Sequence, residues 1–163
     1  MVIKEKVLKA VTRQINAELY SSYLYLAMAS YFESITLLGC AHWMKVQAKE
    51  EDGHAMRFYK YVFDRSAKVV LAGIDAPPSE WKSPIDAFKQ AYGHEMKITQ
   101  MICDILKVAK AEGDPATENM LQWFVNEQVE EEAQVKLIIE KLHMIKDNVG
   151  GLMILDQELG GRK

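Results

Sequence analysis

Lys49-Glu50-Glu51-Asp52-Gly53-His54 is the stretch from which the fold and the chemistry can both be read. It lies inside a segment free of proline, with apolar residues at helical spacing: Leu37, Ala41, Met44, Ala48, then Ala55, Phe58 and Val62. Glu51 falls on that same stripe, where a helix meant for a core carries aliphatic or aromatic side chains. His54 follows three residues later, so both side chains leave the helix on one face.

Outward from this point, the same interruption recurs. Val11, Ile15, Ser22, Tyr25, Ala29 and Phe32 form a stripe broken by Glu18. Ile85, Phe88, Tyr92, Thr99, Ile102, Leu106 and Ala109 form one broken by Glu95. Thr117, Leu121, Phe124, Val135, Ile138 and Leu142 form one broken by Gln128 and Glu131. Proline and glycine separate the four blocks, predicting helices over about 4–34, 37–64, 84–112 and 115–147, then a short tail helix at about 148–160. Ser83-Pro84 and Gly113-Asp114-Pro115 read as cap and start signals. No segment reads as strand. The reading is an all-α, single domain over 1–163.

Two tight turns make two antiparallel hairpins. The 19 residues between Asp64 and Pro84 are far more than a turn needs. An extended loop of that length reaches about 60 Å, and a 28-residue helix is about 42 Å long. The loop can therefore run the length of the bundle and leave the second and third helices parallel, the ferritin-like arrangement with one long crossover.

Register brings the acids to one height. Glu18 and Glu51 are equidistant from the Ser34-Ile35 turn, and the midpoint of Glu95 and Gln128 falls beside the Glu112-Gly113 turn. Both pairs are 33 positions apart (51 − 18; 128 − 95), and an offset of 77 also maps Glu50 onto Glu127 and His54 onto Glu131. Carboxylates converging in a dry core repel one another and must be protonated or bind cations. Oxygen ligands with one imidazole suit iron or manganese.

Bulk properties narrow the partners. The chain has 163 residues, 49% hydrophobic and 26% charged, and a net charge of −3. This is a soluble globular profile with no basic run for nucleic acid and no stretch for a membrane. Without a signal-like segment the expected location is cytoplasmic. Cys40 and Cys103 have no metal-knuckle spacing and read as reduced thiols.

In combination, Asn16-Ala17-Glu18 with Tyr20 and Tyr25, Lys49 to His54, Glu95, and Asn126-Glu127-Gln128-Val129-Glu130-Glu131 resemble the haem-free prokaryotic ferritins over nearly the whole chain. The resemblance implies an iron-storage subunit with ferroxidase activity. Glu18, Glu51 and His54 would hold one iron, and Glu51 would bridge to a second held by Glu95 with Glu131 close by. Gln128 would position oxygen or water, and Tyr25 would donate an electron or a hydrogen bond. Glu50, Glu127 and Glu130 resemble a third iron site. Fe(II) with O2 or H2O2 would be the substrates, and the assembly a 24-subunit homo-oligomeric cage. There the tail, striped by Leu152, Leu155 and Leu159, would cluster on a four-fold axis. Haem is not expected, because Asp52 stands where bacterioferritins carry their haem-ligating methionine. The alternatives are a di-metal oxidase or peroxidase, and a helical scaffold whose acids satisfy one another.

Overall fold

A computed structural model describes residues 1–163. Five helices follow one another: α1 (Glu5–Ser34), α2 (Leu38–Asp64), α3 (Pro84–Glu112), α4 (Pro115–Ile145) and α5 (Val149–Leu159). The cap signals operate as read. Ser83 Oγ accepts from the Asp86 amide at 3.3 Å and Pro84 opens α3. Asp114 Oδ1 accepts from the Thr117 amide at 3.1 Å and Pro115 opens α4. Gly113 closes α3 with φ of 63°, a left-handed conformation that glycine adopts without a Cβ penalty. The fourth helix stops at Ile145, two residues before the expected Asp147, because Lys146 takes a positive φ and Asn148 caps α5 through its bond from the Gly151 amide.

Side-chain contacts fix the helix directions. Ser22 Oγ donates to Ala48 O across α1 and α2. Lys6 pairs with Glu112 while Ser21 meets His94, so α1 and α3 are antiparallel. Gln47 bonds Glu131 while Tyr61 bonds Thr117, so α2 and α4 are antiparallel. With α2 also antiparallel to α1, α2 and α3 run parallel, and residues 67–81 cross the bundle without helix or strand.

The apolar core is in two pieces. One includes Tyr25, Phe32, Met44, Phe88 and Val135. The other includes Val11, Ile15, Phe58, Ile98, Leu121 and Phe124. The acids lie between these apolar masses, which keep water from either end. The buried stripe of α3 differs from the expected one. Ala91, Ile98 and Ile105 are buried beside Phe88, Glu95 and Ile102, whereas Ile85, Tyr92, Thr99 and Leu106 are half-buried flanks. α1 packs against α3, and Ile98 shares one apolar cluster with Val11 and Ile15 of α1.

The short tail helix forms as read, and its apolar stripe turns inward. Leu155 and Leu159 pack into the core of their own bundle and Leu152 lies against it. They do not form a free stripe for neighbours; Val149, Met153 and Ile154 are the exposed apolar residues of α5. The closeness is set at Gly39, where a Cβ would fall 1.7 Å from Asp156 O. No helix is long and apolar enough to cross a membrane.

Candidate metal centre

The four long helices each deliver an acid to the middle of the bundle. Glu18 comes from α1, Glu51 and His54 from α2, Glu95 from α3, and Gln128 and Glu131 from α4; all six are buried. Their donor atoms fall into overlapping sets. Those of Glu18, Glu51 and His54 lie within 4.8 Å of one another, as do those of Glu51, Glu95 and Glu131. Glu51 belongs to both sets, so one carboxylate faces two ligand groups. A third set joins His54, Glu127 and Glu131 within the same limit.

The electrostatics are those of a site built for cations. Burial, then the charge of Glu51, holds the Glu18 carboxyl well above the usual carboxylate range. Burial with Glu51 and Glu131 pushes Glu95 up to about 8, and burial with Glu51 pushes Glu131 up to about 7. His54 moves in favour of its charged form, to about 9. Burial opposes that charge, but the hydrogen bond and charge of Glu51 outweigh it, with Glu18 and Glu131 adding to them. Its Nδ1 lies 3.2 Å from Glu51 Oε2. Glu18 Oε2 is buried without a hydrogen-bond partner. An orphaned carboxylate oxygen beside a second carboxylate is costly unless a proton or cation meets it. The donor set of carboxylates and one imidazole fits iron.

The family model for the ferritin-like domain matches residues 8–145. The chain belongs to the ferritin family. It is 39% identical to the bacterial non-heme ferritin of Bacteroides fragilis, over 99% of this chain and 100% of that protein. It is 33% identical to that of Staphylococcus aureus, over 99% and 97%. Among solved structures, an open-pore ferritin from the hyperthermophilic archaeon Archaeoglobus fulgidus superposes with a TM-score of 0.98 at 49% identity, covering 100% of both chains. A form of the Archaeoglobus fulgidus ferritin engineered to be closed matches at 0.98 and 50%, over 99% and 98%.

Around this cluster, other side chains take distinct places. Tyr25 is fully buried and its hydroxyl donates to Glu95 Oε1. Burial, then Glu95 and Glu51, keeps the phenol well above its usual range. Gln128 Nε2 donates to Glu95 O and Oε2, both at 3.2 Å, and to Thr99 Oγ1 at 3.1 Å. Glu127 Oε1 approaches His54 Nε2 to 3.9 Å. Glu50 is turned aside into an ion pair with Arg162, and Glu130 is exposed one turn beyond Glu127. These three acids are not drawn together at ligand distance.

Two functional-looking residues escaped the sequence reading. Gln47 Nε2 donates to Glu51 Oε1 at 3.0 Å and Glu131 Oε2 at 2.6 Å. Gln14 Nε2 donates to Glu18 Oε1 at 2.8 Å. Both are fully buried. Each precedes its glutamate by four positions, and they differ by the same 33 (47 − 14) as Glu18 and Glu51, so the signal was present in the register.

Proposed function

We propose that the chain is the subunit of an iron-storage cage and that its buried centre is a ferroxidase site for two Fe(II). The observation that carries this reading is the sharing of Glu51 between two buried ligand sets in an otherwise apolar bundle. Glu18, Glu51 and His54 bind one Fe(II); Glu51, Glu95 and Glu131 bind the other. Binding exchanges protons for metal: Glu95 and Glu131, held near 8 and 7, give theirs up as the ions arrive. Charged His54, which offsets the acids beforehand, must lose a proton to become a ligand.

Two Fe(II) supply two electrons. With two protons these take O2 to H2O2, or H2O2 to water. The protein contributes proximity and a fixed ligand field. Tyr25, anchored to Glu95, orients that ligand and stands as a hydrogen-bond or electron donor; Gln128 holds its other side. Glu50, Glu127 and Glu130 receive a third ion on the way to storage. Storage requires an enclosed volume that one bundle lacks, which a closed 24-subunit assembly with point-group symmetry provides. The chain is read as one domain working in the cytoplasm, without haem.

Glu51→Ala and His54→Ala, followed by stopped-flow oxidation of Fe(II), test the centre. Each should slow the fast phase at least as much as the ten- to hundredfold lost with an outer partner of a metal ligand, with helical circular dichroism retained. Native-rate oxidation in both would remove the assignment. Saturation at two irons per chain would replace storage with a di-metal oxidase.

A further inference from the structure

Beyond α5 the chain turns back onto α2 and places Arg162 against the acidic side of the centre. The Arg162 Nη2 bonds Glu50 Oε2 at 2.5 Å. Its guanidinium lies over the Trp43 ring, 4.4 Å from the centroid, and Nη1 reaches Trp43 O at 3.4 Å. Its own carbonyl accepts from His42 Nε2 at 2.7 Å. The arginine side chain is only 15% exposed although Glu50 is 42% exposed. One residue thus makes a cation–π contact, two hydrogen bonds and an ion pair, an arrangement far more specific than a chance surface pair.

The anchoring runs back through α5. The Cys40 amide donates to Asp156 Oδ1 at 2.8 Å, and the missing Cβ of Gly39 leaves the room that Asp156 O takes. Leu155 and Leu159 are buried beneath it. The guanidinium is therefore delivered to Glu50 by a helix fixed on the same bundle, not by a free strand of chain.

We propose that Arg162 is a tethered counter-cation that holds Glu50 until a third metal ion displaces it. This rests on the reading of Glu50 as a third-ion ligand. Arginine stays charged at every working pH, so the competition is between two cations for one carboxylate and does not depend on a proton. Glu50 immediately precedes Glu51 in the chain and feels the charges of both Glu51 and Glu127, so an unpaired charge there adds to repulsion among the acids. The guanidinium offsets it while the site is empty of metal and weakens the third ion's hold when metal arrives. The third ion then binds after the first two, and its arrival frees residues 160–163 from α2.

The test uses the assembled, metal-free full chain titrated anaerobically with Zn(II), a redox-inert probe, by isothermal calorimetry. Arg162→Gln is expected to tighten the third ion about tenfold, the combined scale of an ion pair and a cation–π contact, and to leave the first two unchanged. Arg162→Lys, which keeps the charge but loses the planar fork, should fall between. Hydrogen exchange at 160–163 in the native chain should rise only as the third equivalent binds. A third ion of equal affinity in native and Arg162→Gln proteins would overturn the role of Arg162 while leaving the third site standing. Two ions only, in all variants, would overturn both.

Discussion

Two polar clusters are buried in this bundle, and they are solved in opposite ways. At the end where α2 stops and α4 begins, Arg65 forms a two-pronged pair with Asp114, Nη1 and Nη2 each 3.0 Å from a carboxylate oxygen. Its Nε donates to Met1 O at 2.9 Å, and Thr117 and Tyr61 complete the set. Burial works against the Asp114 charge, but Arg65 and Thr117 outweigh it and hold the carboxyl below its usual range. In the middle of the bundle, several carboxyls face one imidazole, the acids Glu18, Glu95 and Glu131 are pushed upward, and buried oxygens of Glu18, Gln14 and Gln47 lack partners. A cluster that satisfies itself holds the structure together; one that does not is a site for something else.

The largest effect should come from breaking the satisfied cluster. Arg65→Ala leaves Asp114 buried without its cation, and losing one partner of a buried pair costs about 3–5 kcal/mol. Urea denaturation should show that loss, while Zn(II) stoichiometry at the folded centre stays unchanged. If metal binding fell in step with stability, the two clusters would be one unit and the contrast would be wrong.

The sequence carried the middle cluster better than the end one, for a physical reason. Glu18, Glu51, Glu95 and Glu131 sit on stripes whose period is local, and hairpin register needs only the turn position. Arg65 meets Asp114 across two helices joined through the crossover, and no local period reports that. The phase of α3 was misread because Tyr92, Thr99 and Leu106 are as acceptable on a helix face as Ala91, Ile98 and Ile105; the choice depends on where α1 packs. Arg162 near Glu50 was equally invisible, being 112 positions away.

A smaller effect, of opposite sign, should follow from Glu95→Gln. The folded-state carboxyl is raised from 4.5 to about 8, so the folded chain holds a proton that the unfolded chain releases. Its contribution is favourable at low pH and is lost as pH rises from about 4.5 to about 8. The metal-free native protein should therefore lose stability across that window, and the glutamine variant should lose less, ending the more stable of the two at pH 8. Zn(II) should restore the native protein more at pH 8 than at pH 6, because the ion takes the place of the proton. Thermal unfolding at pH 5, 6, 7 and 8, with and without Zn(II), measures all of this. A variant that followed the native pH curve would mean that Glu95 does not carry the strain.

The finest discrimination lies at Gln47, which belongs to the middle cluster but has no charge. Its amide holds Glu51 and Glu131 at once, so it fixes the angle between the shared ligand and the acid opposite. Its own oxygen, however, is buried without a partner. Gln47→Leu removes two donors and one orphaned acceptor together, and these changes in stability oppose one another, leaving a net of about 1 kcal/mol or less. Metal affinity should respond more strongly, because outer partners of ligands are worth about ten- to hundredfold; the expectation here is the lower end, about tenfold, since Glu51 keeps its contact with His54. Calorimetric Zn(II) affinity and urea midpoints on the same preparation separate the two. A loss of stability like that of Arg65→Ala, with affinity unchanged, would place Gln47 among the self-satisfied groups and erase the distinction between the clusters. A loss of affinity without loss of stability is what a residue that orients ligands, and does little else, must produce.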